Sequence, residues 1–214
     1  MRIAVIGVGH VGGTLGRRWA ELGHDVTFGV RRPEDGAAAV KGGDALPARA
    51  RLAPPAEAVR GIEVVVLATP WNAVDDALRE VGADGGALDG VVLIDATNPV
   101  GPGLVLLTGP GGESGGEQVQ ARAPRARVVK ALNTTGFENM REPRYDGAPT
   151  AMFVAGDDAA ARATARALAA DLGFDALDAG PLARARQLEH LAVLWISLAT
   201  GGMGRDFAFR LVRR

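Results

Sequence analysis

The amino-terminal run RIAVIGVGHVGGTLGRRWAELGHDVTF narrows the folds open to this chain more than any other feature. A short β-branched stretch, Arg2 to Ile6, stops at Gly7. A helical pattern from Val11 to Leu22 follows, closed by Gly23, and a second β-rich stretch runs from Asp25 to Val30. Strand, turn, helix and strand within about 30 residues make a βαβ unit, which demands a parallel sheet and a right-handed crossover. The turn reads Gly7-Val8-Gly9-His10-Val11-Gly12, the spacing G-x-G-x-x-G. In a chain with 30 glycines that spacing alone means little. Here it sits between a strand and a helix, where each glycine has a task. Gly7 permits the tight turn, Gly9 lets backbone approach a pyrophosphate, and Gly12 lets helix and strand pack closely. The amides of Val8 to Gly12, at the positive end of the helix, are then expected to hold the phosphates of a dinucleotide.

The end of the second strand indicates which dinucleotide. An NAD site places Asp or Glu there to hold the ribose 2′-hydroxyl. This chain has Gly29-Val30-Arg31-Arg32. Arginines attract a 2′-phosphate through bidentate, charge-assisted hydrogen bonds, so Arg31 and Arg32 point to NADP(H).

The same alternation continues. Helical pieces are expected at Pro33 to Val40 and Pro55 to Arg60, with a weak strand around Ala50 to Leu52. IEVVVLA (Ile62 to Ala68) and VVLID (Val91 to Asp95) read as strands buried on both faces, with a helix from Trp71 to Val81 between them. A Gly/Pro-rich loop, Asn98 to Gly116, precedes a helical piece at Glu117 to Arg122 and a strand at Arg127 to Leu132. Strands at Thr150 to Ala155 and Phe174 to Asp178 flank an Ala-rich helix from Asp157 to Leu172. A long helix from Pro181 to about Ala199 breaks at Gly201, Gly202 and Gly204, with a second helical piece expected to the end. The architecture expected is α/β: a doubly wound Rossmann-type sheet with helices on both faces. Residues 1–180 form the nucleotide domain and 181–214 a small helical extension shaping a dimer contact and a substrate pocket.

Composition bounds the function. A net charge of −1 gives no field for nucleic acid or an anionic membrane. The absence of cysteine excludes disulfides, thiol nucleophiles and cysteine metal sites, and no metal site is expected. No apolar run approaches the ~20 residues of a membrane span, and MRIAVIG has no leader pattern, so a cytoplasmic protein is expected.

Ligands of such sheets lie outside the carboxyl ends of the strands. Those ends supply Ala68, Thr69, Pro70 and Trp71; Asn98; and Lys130, Asn133 and Thr134. Ala68, Thr69, Pro70, Asn98 and Asn133 suit a cofactor groove; Trp71 and Thr134 suit a second ligand. Each of these residue types also caps helices and shapes turns. Lys130 is a candidate proton donor, and equally a phosphate contact or a strand-end residue in solvent. The late helix QLEHLAVLW is apolar on nearly every side, which suits a core, a dimer face or both. The break at Met203 and Gly204 would let backbone approach a flat ligand. With two serines and three histidines, no nucleophilic triad suggests itself.

The combination of the glycine loop with VRRP, VLATPW, VVKALNT and the tail DALDAGPLARARQLEHLAVLW…GMGRDFAF resembles the F420-dependent NADP oxidoreductase family over essentially the whole chain, although the loop is one residue shorter than in members that use the deazaflavin. The resemblance implies hydride transfer between NADPH and the deazaflavin coenzyme F420. It also implies a Rossmann domain with a small carboxyl-terminal extension, commonly a dimer, and Arg31 as the arginine on the 2′-phosphate. Hydride transfer between two planar rings needs alignment rather than a protein nucleophile. Two other readings stay open: an NADPH-dependent reductase of a small imine or carbonyl, and a non-catalytic NADP-binding module.

Overall fold

The computed structural model describes residues 1–214. Its main sheet has eight strands: β1 (Arg2–Ile6), β2 (Asp25–Gly29), β3 (Ala50–Ala53), β4 (Val64–Leu67), β5 (Val92–Asp95), β6 (Arg127–Lys130), β9 (Ala151–Gly156) and β10 (Asp175–Gly180). A separate hairpin supplies β7 (Arg144–Tyr145) and β8 (Ala148–Pro149). The order β10-β9-β6-β5-β4-β1-β2-β3 contains the doubly wound pattern, with β1 to β6 all parallel. Strand β9 runs antiparallel to β6, and β10 is parallel to β9. The return between β6 and β9 holds only a five-residue helix and the short hairpin, and the chain re-enters the sheet antiparallel.

Alternation along the strands sends side chains to both faces. Ile3 and Val5 join one core with Leu15, Trp19 and Phe28, under α1 (His10–Glu21) and α6 (Ala159–Asp171). Ala4 and Ile6 join a second core, under α2 (Pro55–Ala58), α3 (Val74–Glu80) and α4 (Gly115–Arg122). Strands β4 and β5 are buried at every position, as expected for central parallel strands. Helix α6 starts at Asp158, whose side chain accepts from the Ala161 amide at 2.7 Å, and it buries Ala161, Ala165, Leu168 and Ala169 at helical spacing. The Trp19 indole donates to the Leu168 carbonyl at 3.0 Å and ties α1 to α6.

The remaining elements depart from the sequence-based expectations in four places. Pro33–Ala39 is a 3₁₀ stretch interrupted at Gly36 (φ +62°), not a continuous helix. Helix α4 begins two residues earlier than expected, because Ser114 and Glu117 form a capping box. A short helix, α5 (Phe137–Arg141), and the β7–β8 hairpin fill the return after β6. Finally, α7 (Ala185–Leu198) ends in a wide turn over Ala199–Met203, and no second helix follows. Gly202 and Gly204 adopt positive φ, and the tail beyond runs extended across the molecule. Its Phe209 carbonyl accepts from the Ala151 amide at 2.9 Å, at the start of β9. No helix is long and apolar enough to cross a membrane.

Candidate functional site

Strand β1 lies between β2 and β4, so the chain leaves the sheet in opposite directions on its two sides. The crevice at that switch point, beyond the carboxyl ends, is where such sheets bind ligands. The glycine loop floors it. A Cβ on Gly7 would fall 2.6 Å from the Ala68 carbonyl oxygen, and one on Gly12 would collide with the Gly7 carbonyl. Nothing lies within 4 Å of a Cβ on Gly9, so that face of the loop is open. Val8 O accepts from the Lys41 amide at 3.0 Å, which ties the loop to residues 40–45. Arg17, 7% exposed on the inner side of α1, staples that segment by donating to the carbonyls of Val40, Lys41, Gly43 and Ala45. An arginine set among Gly13, Gly16 and Ala20 on a buried helix face was the signal for this contact, and sequence reasoning missed it.

On one side of the loop a cleft of about 370 Å³ brings Gly7 and Val8 together with Arg31, Arg32 and Thr69. Both arginines reach into it from the end of β2, and both are solvated, with side chains 71% and 74% exposed. Arg31 is paired with Glu80 of α3 at 2.7 Å, and Arg32 with Asp35 at 3.5 Å. The hydrogen bond to Glu80, and then its charge, raise the Arg31 pKa.

On the other side lie the ends of β5 and β6, with Thr69 at the end of β4 between the two sides. Asn98 and Asn133 form a mutual clamp. Asn98 Nδ2 donates to the Asn133 carbonyl at 2.8 Å, so Asn98 Oδ1 is free to accept from Asn133 Nδ2 at 3.0 Å. That orients the Asn133 amide and leaves its Oδ1 buried without a partner. Thr69 Oγ1 is likewise buried and unpartnered. A buried polar atom with no partner carries a desolvation cost, which a water or a polar ligand group would relieve at these two strand ends. Leu132, just before Asn133, adopts φ +60° although it is branched and fully buried. Such strain persists where surrounding structure enforces it, commonly at functional sites.

The other residues singled out from the sequence are placed differently. Thr134 is buried with its hydroxyl 3.8 Å from the Met152 sulfur. Trp71, half-buried, packs on the core that holds Val74, Ala77 and Leu78. Met203 is 60% exposed, and neither it nor Gly204 lines the Arg31 cleft. Lys130 is neither a strand-end residue in solvent nor open to a ligand. Its side chain is 0% exposed, and Nζ is held by Asp95 at 2.9 Å, Glu189 at 3.0 Å and the Thr97 carbonyl at 2.7 Å. Pro70 stands just before Trp71 after β4, and Val11 lies in the first turn of α1.

His10 stacks on Phe137 of α5 at 4.7 Å, with the rings 20° apart. Arg205, from the tail, lies over Phe137 at 5.4 Å and over Trp195 at 5.3 Å, and Trp195 stacks on Phe207 at 5.2 Å. Burial pushes the Glu138 carboxyl up, but the Arg205 hydrogen bond and charge outweigh it and hold it below the usual range. A groove of about 560 Å³ between α1 and α5 opens beside His10 and Phe137. None of this column was legible in the sequence, because its members come from four separate segments.

Sequence comparison then identifies the relatives. The profile of the coenzyme F420-dependent NADP oxidoreductases matches residues 2–99. A crystal structure of a protein from Arthrobacter sp. FB24, described as an F420-dependent NADP-reductase, is 35% identical over 100% of both chains, with a TM-score of 0.86. The chain belongs to the F420-dependent NADP oxidoreductase family. Hypothetical protein SMa0349 from Sinorhizobium meliloti shares 25% identity over 86% of each chain, with a TM-score of 0.71. Metalloreductase STEAP3 of Rattus norvegicus is 26% identical over 88% of this chain, which spans only 36% of that protein's length. Membership makes the chain an NADP-dependent oxidoreductase with a Rossmann-like fold.

Proposed function

We propose that the chain transfers hydride between NADP(H) and a deazaflavin, coenzyme F420, as a cytoplasmic homodimer. The observation that carries the cofactor side is the cleft beside the glycine loop, with two arginines and no acid at the end of β2. In this reading Arg31 and Arg32 hold the 2′-phosphate, and the amides from Val8 to Gly12 hold the pyrophosphate. The buried Asn133 Oδ1 accepts from the carboxamide, and Thr69 Oγ1 bonds a sugar hydroxyl nearby. When bound, NADPH supplies the hydride. The groove beside His10 and Phe137 is the space available to a second flat ligand, and the F420 assignment itself draws on the full-length likeness to the Arthrobacter protein. Residues 181–214 form an extension that packs on the second core through Leu182 and Ala185, and its exposed Leu194 and Met203 suit a subunit contact.

Reduction of a small imine or carbonyl would require a proton donor at the site. The candidate, Lys130, is enclosed by Asp95, Glu189 and the Thr97 carbonyl, so it is not placed to be that donor. Reduction of the deazaflavin also takes up a proton, so this removes Lys130 as donor without choosing between the acceptors. The test is the absorbance of oxidised F420 mixed with the protein and NADPH, with NADH as control. Bleaching with NADPH alone is expected. Bound NADPH without bleaching would sink the deazaflavin assignment, and equal rates with NADH would sink the reading of the arginines. Sedimentation of the purified protein as a monomer would remove the dimer.

A further inference from the structure

Lys130, Asp95 and Glu189 place one cation and two carboxylates where their side chains are 0%, 0% and 2% exposed. Burying ions is costly unless the geometry repays desolvation. Here every polar atom has a partner. Nζ donates to Asp95 Oδ2 and the Thr97 carbonyl and pairs with Glu189 Oε1 at 3.0 Å. Asp95 Oδ1 accepts from the Thr97 amide at 2.9 Å and from the Thr97 hydroxyl at 2.7 Å. Glu189 accepts from the amides of Gly115 and Gly116, both at 3.1 Å, at the positive end of α4. A Cβ on Gly115 would lie 2.9 Å from Glu189 Oε1, so the glycine pair is what lets α4 approach the carboxylate.

The cluster therefore joins β5, β6, α4 and α7, and its one contact with a loop is the Thr97 turn. The next residue is Asn98, which clamps Asn133. We propose that Lys130 is a positioning residue: the Lys130–Asp95–Glu189 cluster fixes the Thr97–Asn98 turn and, through it, aims the unpartnered Asn133 Oδ1 at the nicotinamide half of the cofactor. This rests on the NADP(H) reading above but not on the identity of the hydride acceptor. Arg31 and Arg32 lie on the other side of the glycine loop and share no contact with the cluster, so the adenosine half is held independently.

The experiment compares two probes on the intact protein: NADPH, and 2′,5′-ADP, which carries only the adenosine half. Lys130→Met keeps length and apolar volume and removes the donor to Thr97 O. Weakening of NADPH by about tenfold is expected, equivalent to one well-made hydrogen bond, with 2′,5′-ADP binding unchanged within about twofold. The double variant Lys130→Met/Asp95→Asn avoids an uncompensated Asp95 and carries the same expectation if the single variant fails to fold. Loss of both affinities together, or of neither with only a lowered melting temperature, would mean a general structural role and overturn the proposal. Intact NADPH affinity with lost turnover would return Lys130 to proton transfer and overturn it equally. A wild-type protein that binds neither probe would overturn the cofactor reading and this proposal with it.

Discussion

The two sides of the glycine loop solve recognition in opposite ways. At the Arg31 end the side chains are long, charged and mostly in water, each paired with an acid within the same region. At the Asn133 end the groups are short and buried, and their orientation is set by a chain of hydrogen bonds leading back into the core. Solvated charges attract a phosphate while tolerating imprecise placement, and each pair is worth little because water screens it. A buried amide gains from its partner only in one geometry, and loses the full desolvation cost without it. The open end suits selection of the cofactor, and the dry end suits alignment of the reacting ring.

The glycine loop joins the two ends, and its glycines allow the sharpest attempt to break the comparison. Gly12→Val puts a side chain into the Gly7 carbonyl, with Val5 beneath. A loss of about 3 kcal/mol or more is expected, seen as a large fall in melting temperature. Gly9→Ala meets nothing within 4 Å, and Gly9 has φ −67°, which alanine adopts easily. That variant is expected to melt like the parent while losing NADPH and 2′,5′-ADP binding together. Unimpaired binding by Gly9→Ala would show that no phosphate approaches the loop there.

Next in size is Arg31→Ala. Loss of charge-assisted bonds at a solvated site is expected to weaken NADPH about tenfold and leave NADH within about twofold. Equal weakening of both would deny Arg31 a role in reading the 2′-phosphate. Smaller still is the effect of Glu80, which holds Arg31 at 2.7 Å. Glu80→Gln releases the guanidinium and removes a like charge facing the phosphate. NADPH is expected to bind about two- to fivefold more tightly, within the range of an exposed ion pair, with the gain shrinking at high salt. Titrations at two ionic strengths would check both the sign and the screening.

The asymmetry between the ends also governs what the sequence revealed. Gly7, Gly9, Gly12, Arg31 and Arg32 were readable because the strand, turn, helix and strand that carry them are contiguous, and local sequence dictates their geometry. The central strands were readable for the same kind of reason: VVVL and VLID are buried on both faces. Two local signals were present but passed over. Ser114-x-x-Glu117 is a capping box, and Tyr145-Asp146-Gly147-Ala148 carries the Asp-Gly turn of a tight hairpin, with both central residues at positive φ. The partners of Lys130 were a different matter. Glu189 is 59 positions further on, and only its place on the buried stripe with Ala185, Leu188 and Ala192 hinted that an acid was going inside. The glycine break after α7 was readable, but the tail beyond it was misread as helical, because its carbonyls are bonded by Asn139, Ala151 and Trp195, which local sequence does not announce.

An effect on stability rather than on binding is expected where that tail is fastened. The Tyr145 hydroxyl donates to Asn139 Oδ1 at 2.6 Å and lies 3.1 Å from Asp206 Oδ1. Burial, then the hydrogen bond and charge of Asp206, push the hydroxyl up from its usual value near 10 to about 12. A raised value in the folded state means that the hydroxyl contributes its full stability below pH 10 and loses it as the pH climbs toward about 12. Tyr145→Phe is therefore expected to lower stability by about 1 kcal/mol at neutral pH, the net worth of one hydrogen bond. The difference from the parent should stay constant up to pH 10 and close between there and about 12. Urea melts across that range would follow it, and a difference that closed below pH 9 would assign the effect to another group. Neither Tyr145 nor Asp206 lines the Arg31 cleft, so 2′,5′-ADP should bind the variant and the parent alike. A weakened grip on that probe would mean that the open end depends on the tail, and that the two ends are not independent.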